Sequence, residues 1–246
     1  MSIVDNISLS VCIPTYEQNG NGTKMLKLLL DSIDVQKTNF LFEVVVSDNS
    51  VDDNIENLCK GYSVRYFRFD NKGISVNTNN AILKANSDCI KIMFQDDLLI
   101  GENALQKFYD ALQNNHWVIS NSIIIDGLGN EIKKKKTKYI HKQLNCNTVG
   151  MPSVLATKHK VLFCPILTTM MDMEYYYRMY RKYGKPYIIN EYIIGQRRWD
   201  GSVTESTKSK HRQELALLRK NGYKTSIWHY IYFIRSTIIN LLHGKI

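Results

Sequence analysis

The sequence predicts an α/β fold, a doubly wound and mostly parallel sheet flanked by helices, on three observations. Short apolar runs at residues 8–13, 41–46 and 89–99 are bounded by polar residues, the pattern of strands buried on both faces. Between them lie segments with apolar residues at helical spacing, so strand and helix alternate four times in the first 125 residues. The run at 89–99 breaks into two adjacent carboxylates, Asp96 and Asp97. They stand at the carboxyl end of a strand, the edge where open α/β sheets bind ligands. Two acids there are costly unless a cation or hydrogen bonds satisfy them, and a divalent metal holding a nucleotide's phosphates is the natural partner. Asp is equally a turn residue and a helix cap, so the pair alone leaves both readings open.

Residues 8–13 form the first strand, stopped by Pro14-Thr15-Tyr16, and a polar loop runs over 17–22. Thr23 is the expected N-cap of a helix with Met25, Leu28, Leu29 and Ile33 on one face. The second strand, 41–46, ends in Ser47-Asp48-Asn49-Ser50, where Asp48 is either a ligand-binding acid or a turn residue. Residues 64–69 alternate as a third strand. Asp70-Asn71-Lys72-Gly73 then turns into a helix over 75–86 whose first N–H groups suit an anion, although its glycines match no familiar phosphate loop. After the central strand and its acids comes a helix over 102–114, burying Ala104, Leu105, Phe108 and Leu112. Residues 117–125 read as a strand and 127–130 as a hairpin turn into Glu131-Ile132.

The second half is less regular. The lysine run 133–136 reads as a solvated loop, and 146–152 as loop. Residues 170–183 read as a helix with Asp172 and Glu174 near its start and Arg178, Arg181 and Lys182 near its end, an order that suits the helix dipole. Residues 187–194 are the last predicted strand. In the polar stretch 196–204, Arg197 and Arg198 either grip a diphosphate or simply face solvent.

With 246 residues, 44% of them hydrophobic, the chain can bury a sizeable core. A net charge of +9 favours an anionic partner: nucleic acid, nucleotide phosphates or a membrane surface. The five cysteines are widely spaced and lack paired-ligand spacing, so reduced thiols in a cytosolic protein are expected rather than a disulfide framework or zinc site. Residues 1–6 carry no basic start to a secretory signal, and no apolar run reaches the roughly 20 residues of a membrane span.

Several motifs in order complete the reading: Val11-Cys12-Ile13-Pro14-Thr15-Tyr16, Val46-Ser47-Asp48-Asn49-Ser50, Asn71-Lys72-Gly73-Ile74-Ser75 with Asn77 and Asn80, Gln95-Asp96-Asp97, Gly150-Met151-Pro152-Ser153, and Asp172-Met173-Glu174-Tyr175-Tyr176-Tyr177-Arg178. In order and spacing, from residue 10 to 204, they resemble the family 2 glycosyltransferases with the GT-A fold, in particular bacterial enzymes that build O-antigen or capsule repeat units. The resemblance implies a catalytic domain over 1–207, with 1–125 holding a nucleotide sugar and 126–207 the acceptor, and a tail over 208–246.

It further implies an inverting, metal-dependent hexosyl transfer from a donor, UDP-linked by expectation, to a polyprenyl-diphosphate-linked sugar, forming a β-linkage. Pro14, Thr15, Tyr16 and Glu17 line the nucleotide pocket in that comparison, with Lys72 and Asn77 nearby and Asp48 hydrogen-bonding the base. Asp96 and Asp97 meet the ribose, the diphosphate and a Mn²⁺ or Mg²⁺ ion. Asp172 matches the family's catalytic base, Glu174 is the second candidate, and Arg197 or Arg198 pairs with the leaving diphosphate. Three positions depart from the family's pattern: Phe94 replaces a common acid, Met171 a common Glu, and Trp199 stands near a common His.

In the tail, Ile227, Tyr230, Ile231, Ile234, Ile238, Leu241 and Leu242 recur at helical spacing after the basic segment 208–224. The amphipathic helix this predicts either packs on the catalytic domain or lies in the interface at the inner face of the cytoplasmic membrane. Two other classes compete with the enzyme: a non-catalytic sugar-nucleotide or lipid-binding homologue, and a basic nucleic-acid-binding protein, against which the sequence offers no recognisable motif. The oligomeric state is left open.

Overall fold

The computed structural model describes residues 7–18, 20–139, 144, 146–199 and 208–224, residues 208 and 209 by backbone alone. The first half alternates strand and helix: β1 (Leu9–Thr15), α1 (Asn21–Asp34), β2 (Phe42–Asp48), α2 (Asn54–Cys59), β3 (Arg65–Arg68), α3 (Ile74–Lys84) and β4 (Ile90–Ile92), the short α2 being additional to the expected helices. β1 pairs in parallel with β2 and β4, and β2 in parallel with β3. All seven residues of β1 are buried, Ser10 and Thr15 among them, as in a strand covered on both faces.

The apolar run 89–99 is not one strand. β4 stops at Ile92, Asp96 and Asp97 form a turn in which the Asp97 N–H donates to Phe94 O at 3.0 Å, and the chain re-enters the sheet as β5 (Leu98–Leu99). β5 pairs antiparallel with the last strand, so the acids sit on a turn clamped between two strands of the same sheet. α4 (Ala104–Gln113) follows with Ala104, Leu105, Phe108 and Leu112 buried.

Beyond α4 the sheet becomes mixed. β6 (Trp117–Ile125) pairs antiparallel with β7 (Glu131–Lys135) and β8 (Leu155–Thr157), and in parallel with β9 (Tyr187–Arg197). The order is β3-β2-β1-β4-β8-β6-β9-β5, with β7 beside β6. Two expectations are corrected here. The lysine run is strand rather than solvated loop, because ladder bonds to β6 hold it. The last strand runs three residues past Ile194, carrying Gln196 and Arg197 with it.

α1 begins at Asn21 rather than beyond Thr23, and Gly20 rather than Thr23 is its N-cap. The first-turn donors are satisfied from the preceding loop: Glu17 accepts from Gly22 N–H at 3.2 Å, Thr23 N–H at 2.9 Å and the Thr23 hydroxyl. A Cβ on Gly22 would stand 2.4 Å from Tyr16 O and 2.8 Å from Glu17 Cα, both backbone. Gly22→Ala is therefore expected to cost about 1–3 kcal/mol by overpacking. Urea titration followed by circular dichroism checks this, and an unchanged midpoint would contradict the close approach.

α5 (Met171–Tyr183) ends at Gly184, and α6 (Lys208–Lys220) lies against its start. Glu214 of α6 accepts from the N–H groups of Thr168, Thr169 and Met170 at 2.8, 2.9 and 2.9 Å, and Leu215 and Leu218 are buried. So the basic segment 208–224 packs on the catalytic body. The amphipathic run from Ile227 to Leu242 lies outside the described residues. Among the described residues no helix is long and apolar enough to cross a membrane.

Candidate active site

A cleft of about 860 Å³ opens over the carboxyl ends of β1 and β4. One wall comes from the segments after β1 and β2 and the start of α3. The opposite wall comes from β6, β7, the end of β9 and the loop 147–151, with the acid turn between them. Of the residues expected to meet a nucleotide, Pro14, Thr15, Tyr16, Lys72, Asn77, Asp96, Arg197 and Arg198 all line it.

Their side chains have different degrees of freedom. Asn77 is spent inside the protein, donating to Thr15 O at 2.9 Å and accepting from the Ser47 hydroxyl at 2.6 Å, which ties α3 to β1 and β2. Arg197 is likewise committed: Nε donates to Asp96 O at 3.1 Å and Nη1 to Asp126 O and Gly127 O at 3.0 Å. The expectation that it grips a diphosphate is corrected, since three carbonyls already hold its guanidinium. Arg198 and Lys72 are the exposed cations at the cleft, and half-buried Lys135 lines it as well.

Glu17 and Asp48 do not line the cavity. Glu17 caps α1, and its loop position explains why sequence placed it in the pocket. Asp48 is fully buried and accepts from Ser50 N–H at 2.9 Å, Ser50 Oγ at 2.5 Å, Tyr66 OH at 2.8 Å and Thr15 Oγ1 at 3.3 Å. It braces the end of β2, and its neighbour Asn49 faces the cleft instead. Gln95, beside the acid pair, clasps the Tyr16 backbone with its amide, accepting from the N–H at 2.8 Å and donating to the carbonyl at 2.9 Å.

The acid turn is under electrostatic stress. Burial raises the Asp96 carboxyl, partly offset by the Trp199 N–H, which donates to Oδ2 at 3.2 Å. Burial first, and then the neighbouring Asp96 charge, raise Asp97. Asp97 Oδ1 accepts from Arg197 N–H at 3.1 Å, while buried Oδ2 makes no hydrogen bond. An orphaned carboxylate oxygen beside a second carboxylate is a donor set suited to a divalent cation. Among the described residues no third His, Cys, Asp or Glu joins them. Phosphate oxygens and water would complete such a shell, the usual arrangement for Mg²⁺. Phe94, where the family often has an acid, is buried and lines the cleft, its N–H donating to Ser153 Oγ at 2.9 Å.

Beneath the turn lies fully buried Lys91, pointing at carbonyls rather than at an acid. Its Nζ donates to Ser153 O and to Ile92 O at 3.0 Å and stands 4.3 Å from the Phe108 ring centroid. Burial lowers its pKa well below the usual lysine value, and Asp97 pulls the other way.

Asp172 opens α5 at the far wall. Its Oδ2 accepts from Asn147 Nδ2 at 2.5 Å and its Oδ1 from Met173 N–H at 2.7 Å. Asn147 lines the cleft, so Asp172 sits one side chain behind the surface. Burial pushes its carboxyl up to about 7, against hydrogen bonds from backbone N–H groups and Asn147 and the field of Lys135. A carboxylate poised near neutrality fits a general base. No sequence pattern marked Asn147 or Lys135, because both belong to segments whose approach to α5 is set by the chain's path.

Glu174 does not reach the site, and its expected standing as second base is corrected. One helical turn from the cap, it is 1% exposed, bound by Arg178 Nε at 2.5 Å and Nη2 at 2.9 Å, and by Tyr223 OH at 2.7 Å. Glu174→Gln is expected to lower stability by about 3 kcal/mol through the broken buried pair. Nucleotide binding and turnover per folded molecule should persist, and a dead but fully stable variant would restore it as a base.

A family model described as glycosyl transferase family 2 matches residues 10–204. No curated protein matches the sequence. Among solved structures, residues 1–349 of S. aureus TarS in complex with UDP-GlcNAc superpose with a TM-score of 0.65 at 17% identity, over 86% of this chain and 66% of that one. The same fragment in complex with UDP gives 0.60 at 16% identity, over 93% and 78%. Against the longer S. aureus TarS structure the score is again 0.60 and the chain spans only 39% of that length. The shared fold is the GT-A fold expected from the sequence.

Proposed function

Because the chain belongs to glycosyl transferase family 2, we propose that its cleft transfers a sugar from a UDP-linked donor to a hydroxyl of an acceptor with inversion. The observation that carries this reading is that one cleft is lined by the acid turn and by Asn147, which holds Asp172 directly behind its surface. The bound UDP-GlcNAc of the TarS structure supports the choice of nucleotide.

In this reading the nucleotide lies on the wall of Pro14, Thr15 and Asn49. Asp172 takes the proton of the acceptor hydroxyl as that oxygen bonds to the anomeric carbon. The bond from that carbon to the diphosphate oxygen breaks, and the leaving diphosphate meets the charges of Lys72 and Arg198. Attack on the face opposite the diphosphate inverts the centre, turning an α-linked donor into a β-linkage. Asp96 and Asp97 are the residues that would hold Mn²⁺ or Mg²⁺, which when bound supplies positive charge to the diphosphate. Trp199 and Arg197 hold the two carboxylates in place.

The acceptor in this reading is a polyprenyl-diphosphate-linked sugar of surface-polysaccharide assembly, reached by a protein held at the inner face of the cytoplasmic membrane through residues after 224. The basic segment that precedes them supports that part. A panel of UDP-sugars assayed against polyprenyl-diphosphate-linked monosaccharides, with and without Mn²⁺, tests the reaction. Absence of transfer from every donor, in a protein that binds UDP, would favour the non-catalytic homologue instead.

A further inference from the structure

The wall opposite the nucleotide holds a cation without a described partner and a buried amide with a free donor. Lys135, at the end of β7, lines the cleft, yet among the described residues its ammonium forms neither a salt bridge nor a hydrogen bond. Its ammonium lies over Gly150, 2.5 Å from where a Cβ would stand. Gly150 has φ +112, so glycine serves there twice, by conformation and by leaving room for that ammonium. Close to the same point is Gln196 of β9, only 4% exposed, whose Oε1 accepts from the Ser122 hydroxyl at 3.2 Å while its Nε2 has no partner. A buried donor left unpaired costs about 1–3 kcal/mol unless a ligand satisfies it. Lys135 also carries a cost: burial first, and then the Arg198 charge, lower its pKa, with Asp172 pulling the other way.

We propose that Lys135 and Gln196 form an anion subsite on the sugar and acceptor side of the cleft, which takes a carboxylate or phosphate carried by the transferred sugar or by the acceptor. This rests on the nucleotide-sugar reading above and adds an acidic substrate class to it. The subsite lines the same cleft as Pro14, Thr15 and Asn49, and hydrogen bonds from Asn147 to Gly150 O and to Asp172 Oδ2 join it to the base that would act on the acceptor hydroxyl. The hydroxyls of a neutral sugar can accept from the ammonium and the amide but bring no counter-charge to Lys135. An oxyanion satisfies both at once, and the charge-assisted bonds it forms are the stronger kind.

Calorimetry on the full chain separates the two sources of the anion. UDP alone is titrated first, then UDP-glucuronate against UDP-glucose, then glycerol 3-phosphate against glycerol in the presence of saturating UDP. An acidic donor sugar predicts UDP-glucuronate binding roughly 10-fold tighter than UDP-glucose, an anion contact worth about 1.4 kcal/mol. An acidic acceptor predicts binding of glycerol 3-phosphate and none of glycerol. Lys135→Gln should erase whichever preference appears while leaving UDP affinity within about twofold, and Gly150→Ala, which displaces the ammonium, should do the same. The inference is overturned if neither acidic probe is preferred. It is also overturned if Lys135→Gln weakens UDP as much as the acidic probe, which assigns the cation to the donor diphosphate, or shifts only the pH profile of turnover, which makes Lys135 a counter-charge for Asp172. Failure to bind UDP at all would overturn the nucleotide reading itself and this inference with it.

Discussion

Asp172→Asn is expected to bind UDP with near wild-type affinity and to transfer sugar about 10²- to 10⁴-fold more slowly, the usual cost of removing a positioned base. The amide keeps the shape and the contacts with Asn147 and Met173 but cannot accept a proton. In the wild type, the carboxyl is pushed up to about 7 by burial, so the base is mostly protonated at pH 6 and mostly ionised at pH 8. Turnover should therefore rise through pH 7, and the rising limb should vanish in the variant.

Stability runs the opposite way. The folded carboxyl holds its proton more tightly than the unfolded one, so stability falls as pH rises from about 4 to about 7. Asp172→Asn escapes that loss, and its melting temperature relative to wild type should climb between pH 5 and 8. A variant that turns over normally, or a pH profile without a limb near 7, would remove Asp172 from the role of base.

Mn²⁺ or Mg²⁺ should stabilise the folded protein, and chelation should abolish transfer. The reason is local: buried Asp97 stands beside half-buried Asp96, whose charge raises the cost of ionising it, and Asp97 Oδ2 has no hydrogen-bond partner. At 100 times its dissociation constant an ion contributes about 2.7 kcal/mol, which for a domain of this size is several degrees in Tm. Asp97→Ala should lose the metal-dependent shift and at least about 10²-fold in turnover, as loss of a charge-stabilising group does. It should remain folded, since the lost Arg197 N–H bond to Oδ1 is offset by removal of the unpaired Oδ2. Scanning fluorimetry with and without metal reads the shift, and full activity in EDTA would show that the acid turn works without a metal. Phe94 would then be the residue to exchange first, Phe94→Asp supplying the acid that the family often has there.

The sequence alone determined the α/β class, the burial of β1 and β2, the helices α1, α3, α4 and α5, and the places of Asp96 and Asp97 after β4 and of Asp172 at the start of α5. Those features are written in local patterns: apolar runs, helical spacing and motif order act over a few residues at a time, so they can be read without knowing the chain's path. The tertiary structure decided which side chains are free to act. Glu17, Asp48 and Arg197 are polar residues next to strand ends and look alike in sequence. Only the folded chain brings the Thr23 amide to the first, Tyr66 to the second and the Gly127 carbonyl to the third. Conversely, Lys135 reads as one lysine in a run of four. β7 turns its side chain into the cleft, where Gly150 from a different segment leaves it room. Partners that satisfy or abandon a polar group come from residues far away in the chain, and burial makes that difference cost kilocalories, so reactivity in this site was settled by long-range packing.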